Sequence, residues 1–320
     1  MTRLDRPRTA AGFMKSSLQR IAKTQWGFHL FLQALQLRDL GLLGYAKWQA
    51  AVLGAWIRER RNRSAYRVLN EVELRASRKS DTVFIFGSGY SLNDIPAEEW
   101  RHFEEHDTLG LSGFVYQKWI RVDYHLIRGW VEAKEGALNW QVHTQDFANV
   151  LNANGYFKDT ILILQGEYLA QFSNSLIGCG HIRPGTRIFR YRTARGAKTP
   201  TRRFKDGLAH AVGTLSDAVN FAYCMGWKKL VLVGVDLYDS RYFWLRSNET
   251  LAVDAETGML VVAEMNTRGI RFDGKHNAVN NGIVEAVAGW REFLERDKVT
   301  ISLYNPRSLL RDVLPLYSKR

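Results

Sequence analysis

A glycine-rich segment that follows an apolar run holds the first residues with a clear chemical use. It reads Gly87-Ser88-Gly89-Tyr90-Ser91-Leu92. Glycines permit a tight turn and a close approach of the backbone to a phosphate or ribose, and a helix that starts here offers free N–H groups to an anion. The segment is neither a dinucleotide fingerprint, because Leu92 occupies the third glycine position, nor a P-loop, because no Gly-Lys-Ser/Thr follows. A plain strand-to-helix turn is the alternative.

A second polar group follows the apolar run 230–233. Asp236 stands at the end of this predicted strand, where a carboxylate can hold a ribose hydroxyl, a loop or a metal. Tyr238 and Tyr242 carry hydroxyls that can donate to a phosphate without a metal. The alternative is that these rings and Trp244 form a packed aromatic rim.

His276 lies in a polar, glycine-containing loop just before the last predicted helix. A histidine outside an apolar face titrates near neutral pH and can serve as a general base or acid. The alternative is an ordinary surface histidine. The other histidines form no recognised zinc-ligand set, so the sequence predicts no metal site and no cofactor.

The segment 183–205 contains nine Lys and Arg residues and no Asp or Glu. We interpret it as a cradle for an anionic substrate, with Arg190, Arg192 and Arg195 as acceptor-binding residues, against the alternative of a solvated loop. No recognised nucleic-acid-binding motif accompanies the charge, so nucleic acid is not an expected partner.

Strands that alternate with helices must position these residues. Strands are predicted at 81–86, 108–111, 122–127, 161–164, 229–234 and 299–304, and helices at 215–225 and 281–296. This order predicts an α/β fold in which a mostly parallel sheet carries helices on both faces. Ligands of such sheets bind at the carboxyl ends of the strands, where the glycine-rich segment falls.

The chain divides by charge into a basic arm, residues 1–79, and a domain, residues 80–320. Of the net charge of +13, residues 1–80 hold +11, with 16 Lys and Arg against 5 Asp and Glu. Apolar spacing in 13–63 predicts helices interrupted at Gly27, Gly41, Gly44 and Gly54. Such an arm suits an anionic membrane surface, and the alternative is a helical subdomain packed on the main domain.

Two cysteines outside any CxxC pattern and the lack of an apolar leader or spanning segment favour a cytoplasmic protein. Cys224 is expected to be a buried thiol. With the basic arm, we expect peripheral association with the inner face of the cytoplasmic membrane.

These motifs, taken in order, resemble the bacterial sialyltransferases of glycosyltransferase family 42. The matching blocks are the glycine-rich segment, 214–238, the His276 loop and the closing Asn-Pro-Arg-Ser-Leu-Leu at 305–310. The resemblance covers residues 80–315. It implies a variant GT-A, Rossmann-like fold and a metal-independent, inverting transfer of an acidic sugar from a CMP-activated donor to a glycan or lipid-linked acceptor, in surface polysaccharide or lipopolysaccharide synthesis.

The resemblance also implies residue roles. His276 would be the base, and Tyr238 and Tyr242 would stabilise the leaving phosphate. The donor would be held by Gly87, Ser88, Gly89, Ser91, Ser112, Arg128, Thr214 and Asp236. Residues 245–275 would be a lid that excludes water.

The sequence departs from the family at Ser88, Tyr90, Ser112 and Arg128, where the family has Asn, Pro, Asn and Asn. The sugar is therefore open among sialic acid, Kdo and related nonulosonic acids. Two other hypotheses about the function also stay open. One is a metal-dependent pyrophosphokinase or motility-accessory-factor-like enzyme that uses Asp236 and Asp239, and the other is a non-enzymatic basic protein that binds membrane or nucleic acid.

Overall fold

A parallel sheet forms the centre of the protein in the computed structural model. The structure describes residues 25–128, 140–194, 196–239, 241–253, 260–264, 279 and 281–319. Within them, eight strands pair in the order β1-β6-β5-β4-β3-β2-β9-β12, and every pairing is parallel. The strands are β1 (Arg67–Val68), β2 (Thr82–Phe86), β3 (Asp107–Leu111), β4 (Tyr124–Ile127), β5 (Ile161–Gln165), β6 (Arg187–Tyr191), β9 (Lys229–Val233) and β12 (Thr300–Leu303). The predicted α/β fold is confirmed.

Helices cover both faces of the sheet. They are α1 (Gln25–Asn62), α2 (Glu71–Ala76), α3 (Ala97–Glu104), α4 (Trp140–Ala153), α5 (Gln171–Gly178), α6 (Gly213–Met225) and α7 (Ile283–Arg296). Alternation along β2 shows the two layers, since Val83 and Ile85 belong to one apolar core and Phe84 and Phe86 to the other. A strand buried on both faces needs an uninterrupted apolar run, which is why these segments were readable from sequence.

The sheet has a switch point between β2 and β9. From β2 the chain adds strands outward to β6 on one side, and from β9 it continues to β12 on the other. The connections therefore diverge at the carboxyl ends of these two neighbours, which opens a crevice there. The remaining described strands are β7 (Thr193–Ala194), paired with β8 (Leu208–Ala209), and the antiparallel hairpin of β10 (Glu249–Val253) and β11 (Leu260–Glu264).

The basic segment 183–205 is not the plain loop of our alternative interpretation. It contains β6, in which Ile188, Phe189 and Tyr191 are buried. Their side chains enter the two apolar cores, while Arg187 and Arg190 begin and interrupt the apolar pattern. Because these two positions are charged, the sequence did not predict this strand of the main sheet.

The arm helix α1 continues through three of the four glycines that were expected to interrupt it. Only Gly41 leaves helical geometry, with φ of 67°, whereas the predicted breaks at Gly27, Gly44 and Gly54 are wrong. The last turns of α1 pack on α5, where Asn62 Nδ2 donates to the Gly178 carbonyl at 2.7 Å. The C-terminal part of the arm is thus packed against the main domain.

The sheet also begins earlier than the boundary predicted at Ser80. Strand β1 pairs with β6 at the edge of the sheet, and Leu69 and Leu74 are buried in one of the apolar cores. Residues 67–79 therefore belong with the domain, because removing them would expose core side chains. The short, polar sequence of this segment hides its contribution.

Two further expectations concern the thiols and the membrane. Cys224 is buried, as predicted, and burial raises the pKa of its thiol to about 12. Among the described helices, none has the length and apolar character needed to cross a membrane.

Candidate functional site

Two loops pack closely where β2 and β9 end. The Gly87 and Gly89 N–H groups donate to the carbonyls of Val233 and Gly234, both at 2.8 Å. A Cβ at Gly87 would lie 2.5 Å from the Gly234 oxygen, and one at Gly89 would lie 2.5 Å from Asp236 Oδ2. The glycines are therefore required by the contact between the two loops, in addition to any approach of a ligand.

Asp236 fastens these loops together. Its carboxylate accepts hydrogen bonds from the Ser91 N–H at 2.8 Å, from the Ser91 hydroxyl and from Asn305 Nδ2 at 2.8 Å. The residue is only 3% exposed. Asp236 lines the crevice, but both of its oxygens are engaged, so its observed contacts are structural ones. The same holds for the Ser91 side chain, and donor-binding roles for this pair stay predictions.

Ser112 and Thr214 meet across the crevice. Ser112 follows β3, Thr214 lies in the first turn of α6, and their hydroxyl oxygens are 3.4 Å apart. Ser112 has a φ of 40°, and Leu237 in the loop after β9 has a φ of 63°. Positive φ in such residues costs on the order of 1–3 kcal/mol and is common at functional sites. The His125 ring, whose Nε2 lies 3.1 Å from the Ser112 carbonyl, stabilises the first of these conformations.

A buried carboxylate joins an imidazole and a guanidinium at the same place. Asp217 is fully buried in α6. One of its oxygens lies 2.6 Å from His210 Nδ1, and the other accepts from Arg128 Nη1 at 2.6 Å. The contact with Asp217 favours the His210 tautomer that carries its hydrogen on Nδ1, which leaves Nε2 as the nitrogen able to accept a proton. His210 is 29% exposed and lines the crevice.

Aromatic and charged side chains at 238–239 and 241–244 lie on one side of the crevice, where Asp239, Arg241 and Tyr242 line it. Tyr242 stacks on Trp244 with ring centres 4.6 Å apart, and burial raises the pKa of Tyr242. Arg241 pairs with Asp239 at 2.6 Å. Tyr238 is half-buried beside Arg307, whose guanidinium carbon lies 6.0 Å from its ring centre, and burial raises its pKa.

The crevice encloses about 510 Å³. It collects most of the residues predicted to bind the donor, together with Tyr242, His210 and Arg241. The lining includes Gly87, Ser88, Gly89, Ser112, Arg128, His210, Gly213, Thr214, Asp236, Asp239, Arg241 and Tyr242. We call this crevice the cleft. Tyr238 and Ser91 lie beside it, in the same two loops.

Arg190 and Arg192, two of the three predicted acceptor-binding arginines, are not among the residues that line the cleft. The Arg190 side chain, 9% exposed, pairs with Glu59 of the arm at 3.1 Å and donates to Asn174 at 2.6 Å. Burial lowers the pKa of Arg190 to about 10. Arg192 is exposed after β6, and Arg195 lies outside the described residues. The contacts of Arg190 fasten the arm to the sheet.

His276 also lies outside the described residues, as does most of the predicted lid. The described parts of the lid are 245–253 and 260–264, which include the β10–β11 hairpin. The histidine that the structure places in the cleft is His210. Its contact with Asp217 was not predicted from the sequence, because the seven-residue spacing from His210 to Asp217 spans a turn and the start of a helix. The sequence feature that could have indicated this pair is a histidine just before α6 and an aspartate in the early turns of this mainly apolar helix.

No protein-family model matches the chain, and no curated protein matches it. One similar solved structure is that of the MAf glycosyltransferase from Magnetospirillum magneticum AMB-1, with 16% identity and a TM-score of 0.43. The match covers 78% of this chain and 39% of that chain.

Proposed function

We propose that the cleft binds a nucleotide-activated sugar and transfers the sugar to an acceptor hydroxyl. The observation that carries this proposal is the His210–Asp217 pair in the same cleft as the glycine-rich loop and the first turn of α6. The pair supplies a positioned base, and the first turn of α6 supplies backbone N–H groups suited to a phosphate. The cleft also lies at the switch point, where open α/β sheets bind their ligands.

Uncharged donors carry most of the proposed phosphate binding. Arg128 and Arg241 line the cleft, but each is paired with a carboxylate, Asp217 and Asp239 respectively. The free N–H groups at the start of α6 and the hydroxyls of Ser112 and Thr214 are therefore the groups we assign to the donor. Tyr242 would donate to the departing phosphate, where charge accumulates in the transition state.

The proposed transfer is a single displacement. The acceptor hydroxyl gives its proton to the base, its oxygen attacks the anomeric carbon, and the bond from that carbon to the phosphate oxygen breaks. The electron pair leaves with the nucleotide monophosphate, and the anomeric configuration inverts. Within the described residues the base is His210, acting through Nε2, while the family resemblance assigns this role to His276.

We further propose that the donor is a CMP-activated acidic sugar and that the transfer needs no metal. This choice follows the resemblance noted above. It is supported by the state of the carboxylates that a metal-dependent pyrophosphokinase would need, since Asp236 is bonded to Ser91 and Asn305 and Asp239 to Arg241. The acceptor would be a glycan or lipid-linked glycan, presented at an anionic membrane that the arm binds.

Thermal denaturation with nucleotides tests the proposal. We expect CMP to raise the melting temperature with or without EDTA, because a ligand that binds only the folded state stabilises it. The Thr214→Val variant should lose much of this shift. Thr300→Val is the matched control, since Thr300 is an exposed residue at the start of β12. It lies at the amino ends of the strands, whereas the cleft lies at their carboxyl ends. Stabilisation by purine nucleotides alone, or only with Mg²⁺, would favour the pyrophosphokinase instead.

A further inference from the structure

The end of α3 and the two residues that follow it bring two imidazoles and a carboxylate together. His102, Glu105 and His106 each offer one ligand atom, and these three atoms lie within 4.8 Å of one another. His102 Nδ1 lies 3.3 Å from Glu105 Oε2, and the two imidazole centres are 5.3 Å apart with their planes at 85°. Strand β3 begins at Asp107, so this cluster lies at the amino edge of the sheet, away from the cleft.

The surroundings of the two histidines suit a metal ligand. The second nitrogen of His102, Nε2, lies 3.0 Å from the Tyr317 hydroxyl. A ligating histidine commonly has such a partner on its other nitrogen, which fixes its orientation. Nδ1 of His106 is buried and has no hydrogen-bond partner among the described residues.

We propose that His102, Glu105 and His106 bind a zinc ion. Two imidazole nitrogens and a carboxylate oxygen are ligands that Zn²⁺ takes at about 2.0–2.2 Å, and three protein ligands leave a fourth position for water. Tetrahedral geometry at these lengths separates neighbouring ligand atoms by about 3.3 Å, so the most distant pair must approach by at most about 1.5 Å. The Glu105 side chain is 72% exposed, so its carboxylate is free to follow the two imidazoles as they close on the ion.

The site would be a structural clasp rather than a second catalytic centre. Tyr317 lies in the C-terminal segment, where its N–H donates to the Leu303 carbonyl at 2.7 Å. A zinc ion on His102 Nδ1 makes Nε2–H the donor to the Tyr317 hydroxyl and so ties the end of α3 to this segment. This proposal differs from the expectation, drawn from the sequence, that these histidines form no zinc-ligand set.

Zinc binding by the untagged, full-length chain tests the site. After chelation and removal of metal, calorimetric titration with ZnCl2 should show one ion per chain, and zinc should raise the melting temperature. His106→Ala should weaken binding at least about 100-fold, and Tyr317→Phe about tenfold, the range seen when an outer partner of a ligand is removed. His181→Ala is the matched control, because His181 also has a buried Nδ1 without a hydrogen-bond partner.

Glu105→Gln guards against a variant that fails to fold, since this exposed side chain can be changed without disturbing the core. It should retain the metal-free melting temperature and weaken zinc binding at least about tenfold. Equal zinc affinity in the native chain, His106→Ala and Glu105→Gln would overturn the proposal, as would failure of the native chain to bind zinc. Neither result depends on nucleotide binding in the cleft.

Discussion

His210 is the residue whose contacts most closely match a catalytic role. The imidazole is held by a buried carboxylate that is itself balanced by Arg128, and the ring reaches the cleft. This arrangement orients one ring nitrogen toward a substrate while Asp217 stabilises the protonated ring that would form.

Replacement of His210 by alanine should slow turnover by about 10²–10⁴-fold, the usual contribution of a general base. CMP should still raise the melting temperature of the variant, because the groups assigned to the nucleotide remain. Release of CMP from CMP-activated sugars gives the rate, with His276→Ala measured in parallel. A folded His210→Ala enzyme with near-native turnover would exclude this base and leave His276 as the candidate.

His125 gives the stability of the protein a defined pH dependence. Burial lowers the pKa of His125 to about 3, whereas an unfolded histidine titrates near 6.5. Below pH 6.5 the unfolded chain gains a proton that the folded chain does not, so the free energy of unfolding falls with pH, by up to about 1.4 kcal/mol per pH unit. Above pH 6.5 this loss is absent.

The His125→Gln variant removes this titration. Between pH 6.5 and 5, its free energy of unfolding should fall by about 2 kcal/mol less than that of the native chain, even though its stability at pH 7 is lower through the altered contact with Ser112. Urea denaturation at several pH values measures both. Parallel curves for the two proteins would show that His125 does not titrate in this way.

The sequence located residues of the cleft better than it located their partners. The place of Gly87 could be predicted, because parallel strands place the loops at their carboxyl ends along one edge of the sheet, whereas Thr214 was named only through the family resemblance. The engagement of Asp236 by Asn305 could not, since it joins residues far apart in the chain. Arg190 shows the same limit, because nothing in a basic segment indicates a buried partner in the arm.

At the scale of elements, the contact between the loops after β2 and β9 holds the cleft in shape. Apolar runs made these two strands predictable, while β6 escaped prediction because Arg187 and Arg190 break its apolar pattern. The two loops fit together because Gly87 and Gly89 have no side chain at the contact. A pattern of apolar residues does not reveal such a requirement.

The Gly89→Ala substitution tests this fit. The added methyl group would meet Asp236 Oδ2 at 2.5 Å and the Gly234 carbonyl at 2.7 Å. We expect a loss of about 1–3 kcal/mol in the free energy of unfolding, as for other overpacked sites, and a reduced CMP shift. Gly155→Ala is the control, because no atom lies within 4 Å of the added group, and it should change stability by no more than about 0.5 kcal/mol. Equal stability of the two variants would contradict this account of the loops.

At the scale of the whole molecule, the arm is the part of the chain that we propose to bind the membrane surface. One part of α1 is fastened by Trp48 and Val52, which pack with Tyr168 and Leu169. Leu42 and Leu43, next to the break at Gly41, remain 78% and 71% exposed. Exposed leucines beside a basic helix are the arrangement that binds anionic bilayers.

Substitution within the full chain tests this role better than truncation, because a chain that starts near Ser80 would lose β1 and the core side chains of Leu69 and Leu74. The double variant Leu42→Asp/Leu43→Asp should bind vesicles containing anionic lipid at least about tenfold more weakly than the native chain. Two apolar side chains that the bilayer would bury are lost, and two negative charges are added. Val72→Asp is the control, because Val72 is 76% exposed on α2 rather than on the arm. Sedimentation with anionic and with neutral vesicles measures both the apolar and the electrostatic part, and added salt should weaken only the latter. Equal binding by the double variant and the control, or no binding by the native chain, would show that the arm packs on the domain without serving as a membrane anchor.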